Sequence, residues 1–287
     1  MRRCLSALLG ALAVFGAASS AAAVEAAHPK HVEWSFEGPL GKFEQAQLQR
    51  GWQVYAQVCA SCHGMSMLSY RNLGEKGAPF ATYEVHGEGG QSKLVIGQPE
   101  HGGKFVNPIE SPAIKGIAAA FNVTELDKNS GEEVTRPARP ADRLAKPFPN
   151  EAIARLANGG AYPPDLSVIA KARHGGANYL HALLNGYVDP PADKAAEAPP
   201  GKYYNPYFPG GWISMPPPLV PDRVAYEDGT EATVEQMSRD VTAFLEWSAD
   251  PRAEQRKQMG LAVMVYLALL TLLLFGAYKS VWRSVKH

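Results

Sequence analysis

The stretch Cys59-Ala60-Ser61-Cys62-His63 decides how this chain is organised, because it matches the C-x-x-C-H pattern that attaches haem c. Two thiols separated by two residues can form thioethers with the two vinyl groups of one porphyrin. The imidazole that follows is then carried to the iron, where it serves as the proximal ligand. The motif therefore predicts one covalently bound haem c, with Cys59 and Cys62 as thioether residues and His63 as an axial ligand.

Two other kinds of site use the same residue types. A thioredoxin-like redox pair follows a strand in a βαβ unit, whereas this motif follows a predicted helix. The apolar positions at helical spacing in that helix are Leu48, Trp52, Tyr55 and Val58. A zinc site would need two further Cys or His ligands at short spacing, and the one other cysteine, Cys4, lies in an N-terminal segment that we expect to be removed.

The N-terminus has the pattern of a secretory signal peptide at residues 1–23. Arg2 and Arg3 precede an apolar run from Leu5 to Ala18, and three alanines at 21–23 offer a cleavage site. The apolar run is shorter than the about 20 residues that a membrane span needs. We therefore expect cleavage rather than an uncleaved anchor, and export of the rest of the chain.

A second apolar segment lies near the C-terminus. Met259 to Tyr278 contains no charged residue and is long enough for a transmembrane helix in contact with lipid. A buried helix of a soluble core is the alternative, but such long uncharged runs are rare there. Basic residues flank both ends, so the positive-inside rule gives no orientation. The expected organisation is a signal peptide at 1–23, a periplasmic haem domain at 24–250, a hinge at 251–258, an anchor helix at 259–278 and a cytoplasmic tail at 279–287.

The exported part is acidic although the whole chain is neutral. Residues 24–250 contain 20 Lys and Arg against 27 Asp and Glu, a net charge of −7. The acidic residues are spread along the sequence, as on any solvated surface, and they would also steer a basic soluble partner towards the domain. No nucleic-acid partner is expected.

Local patterns predict a mainly α body. A helix is expected from Pro163 to Arg173, and a shorter one from about Ala177 to Asn185, with Gly186 as its C-cap. A third should begin at the capping pair Thr233 and Gln236 and stop before Pro251. Residues 74–150 should form loops and short elements, and 189–221 a stiff proline-rich loop. No strand pattern of any length is present.

Met215 is the favoured sixth iron ligand. It lies in Trp212-Ile213-Ser214-Met215-Pro216-Pro217-Pro218-Leu219, where proline restricts the backbone and lets a thioether be presented at low entropic cost. A methionine ligand also raises the haem potential. Met65 and Met67 lie too close to His63 to reach the other haem face. Alternatives that remain open are His86, His101, His174 and His181, while Met237 fits helix packing better and Met259 and Met264 fall in the apolar segment.

Arg173 follows Leu166 by seven residues, so the predicted helix places it on the apolar face. A guanidinium there needs an anionic partner, for which a haem propionate is a candidate, with Tyr179 as a second donor. A surface arginine whose charge reaches solvent is the alternative.

Taken in order along the chain, these motifs resemble the cytochrome c1 family in its bacterial form. The resemblance covers nearly all of the chain after the signal peptide. It implies a class I cytochrome c-like haem domain with long loop insertions, plus one C-terminal transmembrane helix. The segments that carry it are Tyr55 to Met65 with the C-x-x-C-H motif, Pro163-Pro164-Asp165-Leu166-Ser167, Ala172-Arg173-His174-Gly175-Gly176, Met215 to Leu219, and Asp240-Val241-Thr242-Ala243-Phe244-Leu245.

The resemblance also implies roles and partners. Met215 would be the axial ligand, Arg173 and Tyr179 would contact a propionate, and Pro164 would pack against the haem. In this family a Rieske iron–sulfur protein delivers an electron to the haem, which reduces a soluble or tethered cytochrome c. The anchor would lie beside cytochrome b in the bacterial inner membrane, within a dimeric quinol–cytochrome c reductase (bc1) complex. The chain would be catalytic only within that complex.

One departure and two alternatives accompany the resemblance. Some bacterial relatives have an extra cysteine pair ahead of the methionine loop, and its absence here predicts that proline stiffness and packing alone hold the loop. A haem c subunit of another complex, such as a terminal oxidase, would be expected to lack the Met215 loop and the long insertions. A haem-based sensor would have a five-coordinate iron that binds carbon monoxide avidly.

Overall fold

A computed structural model describes residues 26–87, 91–99 and 102–284. The predicted signal peptide and the last three residues of the predicted tail lie outside the described residues. Within them the chain is mainly helical with long insertions, as predicted, and it also contains several short strands. The helices are α1 (Gln45–Gln57), α2 (Pro112–Ala119), α3 (Glu151–Ala157), α4 (Gly176–Asn185), α5 (Ala192–Ala195), α6 (Val234–Ala249) and α7 (Ala253–Trp282). The strands are β1 (Thr82–His86), β2 (Ser92–Ile96), β3 (Lys104–Phe105), β4 (Asn122–Leu126), β5 (Glu133–Pro137), β6 (Tyr203–Tyr204) and β7 (Trp212–Ile213).

The crossing of α1 and α6 forms the centre of the core. The two helices approach most closely at Gly51, where an added Cβ would lie 2.6 Å from the Cβ of Phe244 and collide with the carbonyl oxygen of Asp240. Trp52 packs edge-on against Phe244, with ring centroids 5.8 Å apart. The apolar face predicted for α1 is confirmed, since Leu48, Trp52 and Tyr55 are all buried.

Two more helix predictions are confirmed. The Thr233 hydroxyl accepts a hydrogen bond from the backbone N–H of Gln236 at 3.1 Å, which caps α6 at its start. The helix ends at Ala249, before Pro251. α4 occupies the predicted segment, and a glycine must follow it because a Cβ on Gly186 would lie 2.5 Å from the ring of Tyr207.

The expectation that no strands are present is wrong. The region 74–150 contains a three-stranded antiparallel sheet in the order β2-β1-β3 and a separate antiparallel hairpin, β4-β5. These strands are two to five residues long, and most of their residues are exposed or half-buried. Because neither face is fully buried, the strands lack the apolar alternation by which a sequence reveals a strand.

The helix predicted from Pro163 to Arg173 is also wrong. This segment forms irregular turns, and the backbone N–H of Leu166 donates to the carbonyl of Gly64 at 2.8 Å rather than within a helix. The prediction that Arg173 lies on a buried face is wrong as well, because its side chain is exposed. The spacing of Leu166, Ile169 and Ala170 arises from turns that bury these side chains in the core.

The predicted hinge at 251–258 is replaced by helix, since α7 begins at Ala253 and continues to Trp282. The first turns of α7 are hydrogen-bonded to the part of the chain that precedes it, residues 26–250, which we call the head. Glu254 Oε1 accepts from the backbone N–H of Phe43 at 2.7 Å, and the Lys257 ammonium donates to the carbonyl of Phe36 at 2.5 Å. The most apolar window of α7 has a mean hydropathy of 2.4 and none of its residues is buried, which suits a membrane anchor and not a soluble core helix.

An ion pair fastens the β4-β5 hairpin to the segment after it. Arg136 donates two hydrogen bonds to Asp142, at 2.7 and 3.1 Å. The Arg136 guanidinium holds the pKa of Asp142 below its ordinary value of 3.8. A carboxylate with a lowered folded pKa stabilises the fold above its unfolded pKa, and this contribution is lost as the pH falls through the folded pKa. We therefore expect Asp142→Asn to be less stable than the wild type at pH 5, and this difference to shrink as the pH falls to ~2, because only the wild type loses the ion pair on acidification. Circular dichroism followed from pH 5 to pH ~2 measures the unfolding of both proteins, and a difference that does not change with pH would contradict the prediction.

Candidate haem-binding site

Helix α1 delivers the chain directly into the C-x-x-C-H motif. After Val58 the chain tightens into a 3₁₀ turn over Cys59–Ser61. The backbone N–H groups of Cys62 and His63 both donate to the carbonyl of Cys59, at 3.1 and 2.8 Å. One turn therefore holds both thiols and the imidazole in a fixed order.

The pKa of the thiols bears on whether the motif is a redox-active dithiol or a haem-attachment site. Both cysteines are free, and burial, with a smaller effect of Cys62, raises the pKa of Cys59 to about 12. A redox-active dithiol works as a thiolate and has a lowered pKa, so the thioredoxin-like interpretation is disfavoured. Among the residues that the structure describes, no group of three or more His, Cys, Asp or Glu side chains could hold a metal ion.

His63 is held in one tautomer. Its Nδ1 lies 2.8 Å from the carbonyl oxygen of Pro164. Because a carbonyl can only accept, Nδ1 carries the proton and the lone pair of Nε2 is left for iron. Burial lowers the pKa of His63, which favours the neutral ring that a metal needs. Sequence reasoning gave Pro164 only a packing role, and this hydrogen bond was missed.

Asp165 and Ser167 fix the loop opposite the motif, and sequence reasoning missed both roles. The Asp165 carboxylate accepts from the backbone N–H groups of Ser66 at 2.8 Å and Ser167 at 2.9 Å. Burial alone would raise the pKa of Asp165, but hydrogen bonds from Ser167 and Ser66 hold it below its ordinary value. The Ser167 hydroxyl accepts from the N–H of Met67 at 3.0 Å. The Asp-x-Ser pattern, typical of a side chain that bonds its own backbone two residues on, was the available signal.

Met215 lies two residues after β7, in a loop held at both ends. Ile213 and Leu219 are buried, with 7% and 6% of their surface exposed, while Met215 between them is half-buried. The carbonyl of Met215 accepts a hydrogen bond from the Tyr187 hydroxyl at 3.1 Å. The expectation that proline stiffness and packing alone hold this loop is therefore wrong.

Arg173 is exposed and Tyr179 is half-buried, and the charge of Arg173 is felt at the phenol of Tyr179. Burial raises the pKa of Tyr179, and the charge of Arg173 acts in the opposite direction. The guanidinium itself donates to the neighbouring carbonyl of Ala172 at 3.1 Å. A guanidinium and a phenol are both donors suited to a carboxylate.

The other candidate ligands have different surroundings. His181 is buried, and its Nε2 lies 3.1 Å from Glu235 Oε1. His86 is exposed, with its Nδ1 bonded to the Ser92 hydroxyl at 3.0 Å. The rest are His174, which is exposed, Met65 and Met237, which are fully buried in the core, Met67, which is exposed, and His101, which lies outside the described residues.

The donor set fits haem c. Cys59 and Cys62 are free thiols on one turn and would form the thioethers, and His63 has the available Nε2 that would bind iron. Met215 would supply a thioether from a braced loop. The bound group supplies one-electron chemistry at its iron.

Comparisons with known proteins agree with this chemistry. The model of the cytochrome c1 family matches residues 34–285. Cytochrome c1 of Rhodospirillum rubrum is 39% identical over 301 residues, covering 100% of this chain and 98% of the relative. A mitochondrial cytochrome c1 haem protein of Arabidopsis thaliana is 44% identical over 88% of this chain and 71% of its own length. The cytochrome b/c1 protein of Bradyrhizobium diazoefficiens is 39% identical over 89% of this chain, which matches 36% of that longer protein. The chain therefore belongs to the cytochrome c1 family, whose members are the haem-carrying subunits of the cytochrome bc1 complex.

Proposed function

We propose that this chain carries one covalent haem c, accepts electrons from the Rieske iron–sulfur protein and passes them to a soluble or tethered cytochrome c. One observation carries the proposal. Two free thiols stand on the turn that also bears His63, whose Nδ1–H is bonded to Pro164 so that Nε2 is available to iron. This arrangement favours an axial histidine with a fixed ring plane.

Each proposed site residue has a separate task. Cys59 and Cys62 would hold the porphyrin, and His63 and Met215 would be the two iron ligands, which would leave no open site for a gas or substrate. Methionine ligation raises the potential, as suits donation to another c-type cytochrome. Arg173 and Tyr179 donate to a propionate, and Pro164 packs against the haem face. Two arguments support these haem-binding roles: the chemistry of the side chains and the membership of the chain in the cytochrome c1 family.

The proposed setting is the periplasmic face of a bacterial inner membrane, in a dimeric complex. The anchor α7 lies beside cytochrome b, an arrangement supported by the Bradyrhizobium relative, whose name joins b and c1 in one protein. A cleaved signal at 1–23 would export the head and leave the C-terminus in the cytoplasm.

Membranes that contain the full-length chain offer the first test. After denaturing electrophoresis, haem-dependent peroxidase staining should appear at the mass of the chain, because thioether-bound haem survives denaturation. In the purified complex, quinol should reduce this haem and added cytochrome c should reoxidise it. Staining that disappears on denaturation would contradict covalent attachment, and avid binding of carbon monoxide to the reduced haem would favour a sensor instead.

The acidic exported region predicts a dependence on salt. Its net charge of −7 should attract a basic cytochrome c, so raising the ionic strength should slow reduction of that cytochrome. We expect about a tenfold decrease in the second-order rate from low to high salt, at the lower end of known steering effects. Stopped-flow mixing measures the rate, with a small uncharged oxidant as control. A rate that is independent of salt would rule out steering by these charges.

A further inference from the structure

We propose that Tyr187 is a positioning residue for Met215, which fixes the direction from which the methionine approaches the haem. This inference rests on the proposed axial role of Met215. It assigns to a hydrogen bond a task that was expected to fall to proline stiffness. Three sets of contacts carry it.

The first is the hydrogen bond itself. The Tyr187 hydroxyl donates to the backbone carbonyl of Met215 at 3.1 Å, although the two residues are 28 positions apart in the chain. Tyr187 is half-buried, and burial raises the pKa of its phenol, so the hydroxyl keeps its proton. The hydrogen bond engages the ligand residue itself and not a neighbour in the loop.

The second set holds the backbone around Tyr187 in place. The residue follows Gly186 at the end of α4, where the ring of Tyr207 packs so closely that only glycine fits. Asn205 is fully buried, donates to the carbonyl of Leu183 at 2.8 Å and accepts from the backbone N–H of Tyr207 at 3.1 Å. The backbone N–H of Val188 also donates to the carbonyl of Tyr204 at 3.5 Å, so the chain is joined to the β6-β7 hairpin on both sides of Tyr187.

The third set connects α4 to the attachment turn. Asn185 donates to the Ser238 hydroxyl of α6 at 2.8 Å, and Ser238 donates to the carbonyl of His181 at 3.3 Å. Helix α6 in turn crosses α1 at Gly51, and α1 leads into Cys59. Helices α4, α6 and α1 therefore form a continuous packed series between Tyr187, which is bonded to Met215, and the turn that carries the haem-attachment motif.

The physical consequence concerns the fraction of time for which the methionine is bonded to iron. A pinned carbonyl limits rotation of the Met215 backbone, so fewer orientations of the thioether compete with the bonded one. Loss of a neutral hydrogen bond of typical strength corresponds to about a fivefold change in such an equilibrium. Other ligands that compete for the sixth position should then bind about fivefold more tightly.

The test uses Tyr187→Phe in the full-length chain within its complex. Covalent haem content should equal that of the wild type, because the cysteines are untouched. The methionine-to-iron charge-transfer band of the oxidised protein should weaken, carbon monoxide should bind the reduced haem about fivefold more tightly, and the reduction potential should fall. Tyr207→Phe is the matched control, since it removes a hydroxyl from the same region and keeps the ring, and it should leave all three readouts unchanged.

The outcomes separate this inference from the proposed function. Met215→Leu should abolish the band; if the band persists there, the axial assignment itself fails. If Met215→Leu abolishes the band while Tyr187→Phe matches the wild type, only the positioning role of Tyr187 is overturned. Equal changes in Tyr187→Phe and Tyr207→Phe would indicate general loosening of the loop and would also overturn it.

Discussion

Replacement of Met215 by leucine is expected to leave the haem covalently attached while sharply lowering its reduction potential. The thioethers of Cys59 and Cys62 do not depend on the sixth ligand, so attachment should survive. Loss of the methionine sulfur removes the ligand that favours ferrous iron. We expect a decrease on the order of 0.2 V, out of the about 0.8 V that axial ligands span in haem proteins. Potentiometric titration of the purified complex measures it.

Met237→Leu is the matched control for that experiment. Met237 is fully buried in α6, and exchange of methionine for leucine in a core is usually tolerated. It should leave the potential unchanged. If Met215→Leu and the wild type had the same reduction potential, Met215 would be excluded as a ligand. One of the histidines that the sequence left open would then be the better candidate.

The second large effect is expected at the helix crossing. In Gly51→Ala the new methyl group would collide with the carbonyl of Asp240 and approach the Cβ of Phe244 to 2.6 Å. Neither neighbour is the flexible end of a side chain, so α1 and α6 must separate. We expect the free energy of unfolding to fall by about 3 kcal/mol, the upper part of the range for overpacked cores. Denaturant unfolding of the full chain in detergent, followed by circular dichroism, measures the loss.

Gly116→Ala provides the comparison. Gly116 lies in α2, and an added Cβ there meets nothing within 4 Å. Alanine should be neutral or stabilise the helix by up to about 1 kcal/mol, because glycine is the poorer helix former. If Gly51→Ala proved as stable as Gly116→Ala, the close approach of α1 and α6 would be disproved.

Local signals in the sequence predicted the helices that build the core. α1 and α6 show an apolar face at helical spacing, and the capping residue Thr233 marks the start of α6. The attachment motif needs only five adjacent residues, so its chemistry also follows from sequence. The roles of all the site residues towards the haem stay predictions: Cys59, Cys62, His63, Arg173, Tyr179, Pro164 and Met215.

Features that depend on distant partners were not predictable. The Pro163-Pro164-Asp165 segment reads as a helix start, but its donors and acceptors pair with residues near His63, about 100 positions away. The bond from Tyr187 to Met215 is invisible for the same reason. The short strands were not predicted because they bury too little surface to require an alternation of apolar and polar residues.

The joint between the head and α7 has a further consequence. Only residues 250–252 separate α6 from α7, and the bonds of Glu254 and Lys257 to the head remove the freedom of a flexible tether. If α7 spans the membrane as proposed, these bonds would hold the head at one height and one tilt relative to the bilayer. Electron tunnelling slows steeply with distance, so under the proposed function a haem held in such a rigid head would leave the movement between redox centres to the electron donor and the electron acceptor.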